Sequence, residues 1–334
     1  MAQLANTFET YDAVGNREEL SDKIYQITPE ETPFISLIGR KGVASTHPEW
    51  QTDTLGAVDT DNNQPEGNDW TFDAVSPTTR VGNYTQISRK SVIISRTQEQ
   101  TSKAGRKSEL AREIAKKGVE LRIDMEAILL SNQASSAGTG DGATNRKLGG
   151  LRAWLATNDS LGANGASGGF SSSTVTAATN GTQRAFTKAL LDDVILSTYN
   201  AGGSPRVAMV SPYVKTVFSR IMDDADVVPL RKELKGNGQA TIVAAADMYQ
   251  SDFGLITFVP NRQMARAGAT IARNAFMVDP KMVALGVFDD IKNEKVAKTG
   301  DAEKRVLITE YTLLVNNEAA HGVIADLYGM TSST

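Results

Sequence analysis

Between Ser108 and Asn132 apolar side chains recur at Leu110, Ile114, Leu121, Met125 and Ile128, at spacings of four, seven, four and three residues. That spacing lays one stripe along an α-helix. The remaining positions are mostly charged, with Glu113 and Lys117 in the favourable i,i+4 order and Arg122 facing Glu126. At 1.5 Å per residue, a helix of about 24 residues is roughly 36 Å long. One narrow face of such a rod packs, and the rest stays wet or meets charged partners. Gly118 sits in its middle, lowers helix propensity by about 1 kcal/mol against alanine, and marks a candidate bend.

The period then disappears. About fifty residues rich in Gly, Ser, Thr and Ala follow, broken only by an apolar segment from Leu148 to Leu155 that holds Trp154. This composition predicts a long surface loop. From Phe186 onward helix and strand patterns alternate. Thr187 is a candidate N-cap for a helix with Leu190, Leu191, Val194 and Ile195 on its apolar face and Gly202 as its stop. "RVAMV" is a short buried strand, and Ser211 with Pro212 opens another helix. "TIVAAADMYQSDFGLITFVPNRQM" reads as two strands around a turn at Ser251 to Gly254. "AFMVDP", "MVALGVF", "EKRVLITEYTLLVNN" and "HGVIADLY" follow as strands closing one sheet.

Ahead of the rod, residues 1–45 read as an extended arm, because Pro29 and Pro33 favour extended or turn backbone. Phe34, Ile35, Leu37 and Ile38 form an apolar knot in it, which packs either on its own subunit or on a neighbour. Residues 46–97 read as a two-stranded excursion, out through "HPEWQTDTLGAV", around the turn formers "DTDNNQPEGN", and back through "NYTQISRKSVIIS". Charge is segregated on it. Asp53, Asp59, Asp61, Glu66, Asp69 and Asp73 stand in a stretch without Lys or Arg, whereas Arg80, Arg89, Lys90, Arg96, Lys103, Arg106 and Lys107 follow with only Glu99 against them. Adjacent blocks of opposite sign suit a loop that reaches the basic patch of another copy.

Composition narrows the function classes. With 334 residues, 40% hydrophobic and 22% charged, the chain is long enough to bury a sizeable core. A net charge of -4 gives no electrostatic reason for tight nucleic-acid binding. The absence of cysteine excludes thiol catalysis, thiolate metal sites and disulfides. No signal peptide and no membrane span is predicted, and N-x-[ST] matches at Asn83, Asn158 and Asn180 are at chance level. Catalytic templates fail one by one. His47 and His321 neighbour no nucleophile motif, "AGRKSE" lacks the glycines of a phosphate loop, and "GTGDGA" lacks dinucleotide spacing. "DTDNNQPEG" starts like a calcium loop at Asp59, Asp61 and Asn63, but has Gln64 in the place of glycine and Trp70 in the place of glutamate. The carboxylate pairs Asp192–Asp193 and Asp223–Asp224 are adjacent in sequence, so a helix would splay them. No catalytic, cofactor or metal site is expected.

Taken in order, "TPEETPFISLIGR", "PEWQTDTL", "NYTQISRKSVIISRTQE", "AGRKSELAREIAKKGVELRIDMEAILL", "LGGLRAW", "VSPYVKTVFS" and "QSDFGLITFVPNRQM" resemble tailed-bacteriophage major capsid proteins of the Hong Kong 97 type, more narrowly the SU-ten-like family. The resemblance spans roughly residues 25 to 330. It implies an α+β fold with an N-terminal arm (1–45), an extended loop hairpin (46–97), a spine helix and peripheral domain (98–185), an axial domain (186–279) and C-terminal peripheral strands (280–334). It further implies hexamers and pentamers in an icosahedral virion shell around double-stranded DNA, assembled in the host cytoplasm. The implied partners are a scaffolding protein, a portal and a cement protein, with weak contact to packaged DNA. The acidic residues Asp53, Asp59, Asp61, Glu66 and Asp69 and the basic residues Arg89, Arg96, Lys103, Arg106 and Lys107 are the inter-subunit candidates. With no Lys between Gly42 and Thr79, Lys–Asn crosslinking from the loop is not expected. The starting Met and short arm imply a separate scaffold or a cleaved precursor. A same-fold cellular nanocompartment shell is the nearer alternative, and a soluble hydrolase the distant one.

Overall fold

In the computed structural model, which describes residues 28–67, 69, 72, 74–222 and 247–331, the charged rod is an α-helix over Glu109–Leu129. Its 21 residues give a length of about 31 Å. Ser108 caps it, Oγ accepting from Ala111 N at 3.1 Å, while the Glu99 carboxylate accepts from Glu109 N and Leu110 N. Leu121 and Met125 of the stripe are buried, whereas Leu110, Ile114 and Ile128 are half-buried, and Leu129, next to the stripe, is buried in place of Ile128. The expected charge pairs differ. Lys117 bonds Glu120 at 2.7 Å and Glu113 bonds Arg112. Glu126, expected opposite Arg122 on the surface, is fully buried and faces the arm.

Two sheets flank this helix. A four-stranded sheet runs in the order Gly39–Gly42, Val283–Lys295, Ala302–Val315, Gln86–Ser95. Its strand Gln86–Ser95 alternates, with Val92 and Ile94 buried and Ile87 and Ile93 more than half exposed. This corrects the expected excursion. The return segment pairs with Ala302–Val315 over ten positions, and the true hairpin is Glu49–Thr52 against Thr79–Gly82. A strand with one apolar face needs a sheet and a core behind it, and the isolated loop offered neither.

A six-stranded sheet has the order Met248–Ser251, Gly254–Pro260, Val207–Val210, Ala275–Val278, Gly322–Ile324, Asp159–Ser160. The C-terminal strands therefore do not close one sheet. Ala275–Val278 and Gly322–Ile324 belong here, and Val283–Lys295 and Ala302–Val315 to the other. Helices Lys188–Asn200 and Pro212–Ile221 cover one face through Leu191, Val194, Ile195, Val214, Val217 and Phe218. Met209, Phe276, Val278 and Val323 turn to the other face and join Met125, Leu129 and Phe34 in a separate core, the first of two, shared with the long helix and the arm. Burial on both faces explains why all of Ala275–Val278 is apolar. The caps at Thr187 and Ser211 and the stop at Gly202 (φ 87°) stand as expected.

The Gly/Ser/Thr-rich segment is the larger surprise. It is packed, with Leu148, Leu151, Trp154, Leu155 and Val175 buried in the first core. Its glycines serve close backbone approach: a Cβ on Gly162 would lie 2.0 Å from Thr182 O, and one on Gly150 2.2 Å from Ser131 O. The apolar knot of the arm packs on its own subunit, Phe34 and Ile38 being buried there. Residues 1–27 of the arm, Trp70, Asp73, Asp223 and Asp224 lie outside the described residues. Asn83 and Asn158 are buried with amides bonded to backbone, which removes both as glycosylation acceptors.

Candidate inter-subunit surface

The hairpin base is held firmly. Trp50 stacks on Trp154 at 5.7 Å, Trp154 stacks on Phe170 at 5.7 Å, and Trp50 Nε1 donates to Asn316 O. Beyond Thr52 and before Thr79 no strand forms among the described residues. This distal segment holds Asp53, Asp59, Asp61, Glu66 and Asp69, all exposed. Asp59 Oδ1 accepts from Asp61 N at 2.9 Å, a local turn contact. Sequence reasoning read the acids and missed their apolar neighbours. Leu55 is 99% exposed, Val58 90%, Phe72 94% and Val75 93%. The signal was present, since "DTLGAV" and "FDAV" set apolar residues among turn formers that no local element can bury.

The basic candidates divide. Arg96 pairs with Asp301 at 2.8 Å, Arg106 with Glu109, and Lys103 with Glu99, the Lys103 side chain being only 4% exposed. Neighbouring Arg80 and Lys90 pair with Glu49 and Asp124. Arg89 and Lys107 stand exposed with no carboxylate partner among the described residues. Arg89 lies on the outer face of Gln86–Ser95 between Ile87 and Ile93, so positive charge and apolar surface alternate there. Glu99 and Glu109 are held below the usual carboxylate range, Glu99 chiefly by Ser108 and Glu109 chiefly by Arg106. These acids keep the helix N-terminus compensated within the subunit. Gly118 leaves open space, since a Cβ there would meet nothing within 4 Å.

His47 stacks on Tyr84 at 4.1 Å, and His321 is fully buried, its Nδ1 accepting from Asp279 N. Among the described residues no group of three His, Asp or Glu could hold a metal ion, and no helix is long and apolar enough to cross a membrane.

The SU10 major capsid protein model matches residues 4–328. The major capsid protein of Escherichia phage Phieco32 is 28% identical over 354 residues, with 98% of each chain covered. Among solved structures, a chain of Gordonia phage Cozz superposes with a TM-score of 0.61 at 14% identity, covering 98% of this chain and 97% of its own. The SrpI encapsulin of Synechococcus elongatus superposes with a TM-score of 0.56 at 10% identity, covering 96% and 95%. The chain belongs to the SU10 major capsid protein family, the Hong Kong 97-like shell proteins of tailed phages.

Proposed function

We propose that this chain assembles through its hairpin into the hexamers and pentamers of an icosahedral head that encloses double-stranded DNA. One observation carries the docking: Leu55, Val58, Phe72 and Val75 stand at 90% exposure or more beside five exposed carboxylates. Each Å² of wet apolar surface forgoes about 25 cal/mol, so a second copy that covers it is favoured. Arg89 with Ile87 and Ile93, and Lys107 nearby in sequence, offer the matching chemistry. In this reading residues 1–45 are the arm, 46–97 the extended loop, Glu109–Leu129 the spine and 186–279 the axial domain. The role is structural and involves no catalysis. Scaffolding protein, portal and cement protein are its partners during assembly in the host cytoplasm. With a net charge of -4 the shell touches packaged DNA only weakly.

Charge reversal tests the docking. An Asp59→Lys, Asp61→Lys protein is expected to give at least several-fold fewer particles by electron microscopy, because exposed pairs of about 0.2–1 kcal/mol each are repeated in every copy. Wild-type assembly should also weaken with added salt. Unchanged yield and salt response would remove the hairpin charges from the interface. At Gly118, alanine fits without contact and is expected to stabilise the unassembled chain by about 1 kcal/mol in urea unfolding. We assign Gly118 a bend between shell states, so Gly118→Ala is expected to slow expansion of assembled shells. Normal expansion would refute the bend. The encapsulin likeness supports a nanocompartment as second reading, and protein cargo instead of DNA in purified particles would select it.

A further inference from the structure

A buried polar cluster at the root of the arm takes no part in the hairpin surface. Glu126 lies on the packed side of the long helix with no exposed surface. Its Oε1 accepts from Phe34 N and from Asn261 Nδ2, each at 2.7 Å, and its Oε2 accepts from Ile35 N at 2.8 Å. Phe34 and Ile35 open the short helix Pro33–Leu37, whose own N-cap residue Thr32 makes no side-chain cap bond. The orphan amides of that turn are therefore satisfied by a carboxylate about ninety residues away. Asn261 is fully buried too, its backbone N donating to Val210 O and its Oδ1 accepting from Gln263 N. Gln263 Nε2 donates to Pro29 O and Glu31 O, so the same cluster grips the arm a second time.

We propose that Glu126 is a latch, joining the long helix, the arm root and the end of strand Gly254–Pro260 so that the arm and Asn261 can only move together. Lifting the arm alone would leave a carboxylate buried without two of its three donors, an arrangement proteins avoid. The latch is also proton-linked. Burial raises the Glu126 pKa above its ordinary value, against hydrogen bonds from Ile35, Phe34 and Asn261 that lower it. The charged groups on the elements around it are otherwise engaged or exposed: Glu31 pairs with Arg262, Arg266 bonds Pro29 O and Gln263, Lys90 pairs with Asp124, Arg122 is exposed, and Glu30 lies on the arm itself. The latched carboxyl thus holds its proton more tightly than it would in water. Against an open state in which the arm and Asn261 have left together and water reaches Glu126, acid favours the latched state, and the latch loosens as pH rises through the raised pKa. In a shell this would regulate release of the arm, a consequence that rests on the function proposed above.

Hydrogen exchange on the unassembled full-length chain, corrected for intrinsic rates, tests the latch whether or not shells form. Protection at Phe34 and Ile35 is expected to fall as pH rises through the window in which Glu126 titrates, by at most tenfold per unit. Protection at Asn261 and Gln263 should fall in parallel, and Glu126→Gln should abolish the slope at both places. If Glu126→Gln does not fold, Asn261→Ala, which removes one donor to the ionised form, should move the window to higher pH. An equal slope in Glu126→Gln, an unmoved window in Asn261→Ala, or arm opening without change at Asn261 would each overturn the proposal.

Discussion

Replacing Trp154 by alanine is expected to lower the unfolding free energy by about 3–5 kcal/mol, measured by urea titration at neutral pH. Trp154 is 2% exposed and stands between Trp50 of the hairpin base and Phe170, each 5.7 Å away. Removing it opens a cavity and also ends two ring contacts, each worth about 0.5–1.5 kcal/mol beyond area. The site has little means of collapsing. A Cβ on Gly168 would already lie 2.5 Å from Ala153 O, so the backbone around the ring is as close as it can come. Trp154 Nε1 is buried without a hydrogen-bond partner, which makes Trp154→Phe the informative control. Phenylalanine retains a ring and removes an unpaired donor, so its cost should be well below that of alanine. Particle yield should follow, because the hairpin strand Glu49–Thr52 leans on this stack through Trp50. A loss below about 1 kcal/mol in Trp154→Ala would show that the hairpin base is held by other contacts.

The same region marks where sequence reasoning stopped. Thr187 and Ser211 were readable as caps because each bonds an amide three residues on, and Ser108, not singled out in the sequence, does the same. The stripe of Glu109–Leu129 was readable for the same reason, its partners being one and two turns away. Pairing of Gln86–Ser95 with Ala302–Val315 was not, since Gln86 meets Tyr311 across more than two hundred residues. Glycine misled in a particular way. The composition that signals a flexible loop also permits backbone to touch backbone, and Gly150, Gly162 and Gly181 do the second. Glu126 misled similarly: an i,i+4 rule assigned it to Arg122, but a carboxylate on the buried side answers to amides brought in from elsewhere. On the candidate surface the acids were legible from charge alone. Which bases remain free was not, because Asp301 and Asp124, distant in sequence, neutralise Arg96 and Lys90.

Acid is expected to destabilise the unassembled chain through His321. Its Nδ1 accepts from Asp279 N at 3.2 Å, which requires the neutral ring, and Nε2 faces Met282 O. Burial pushes its pKa down to about 4, against smaller raising effects of Met282 O and Asp279. An unfolded histidine titrates near 6.5, so between these values the unfolded chain binds the extra proton. The contribution is present above about pH 6.5 and is lost as pH falls toward 4. A gap of about 2.5 units at about 1.4 kcal/mol each bounds the loss at about 3–4 kcal/mol. Urea unfolding at pH 7 and pH 4.5 should therefore separate wild type from His321→Gln, which carries no ring proton to gain. The variant should start less stable, because its amide fits the Asp279 and Met282 bonds imperfectly, and should lose less on acidification. The ring also sits where the two sheets meet, between Ala275–Val278, which leads to Asp279, and Val283–Lys295, which follows Met282. Protonation there would strain the link between the two cores, so the acid transition should first expose Phe276 and Met277, beside Asp279, and not the hairpin. Equal pH dependence in wild type and variant would assign acid lability to the carboxylates instead.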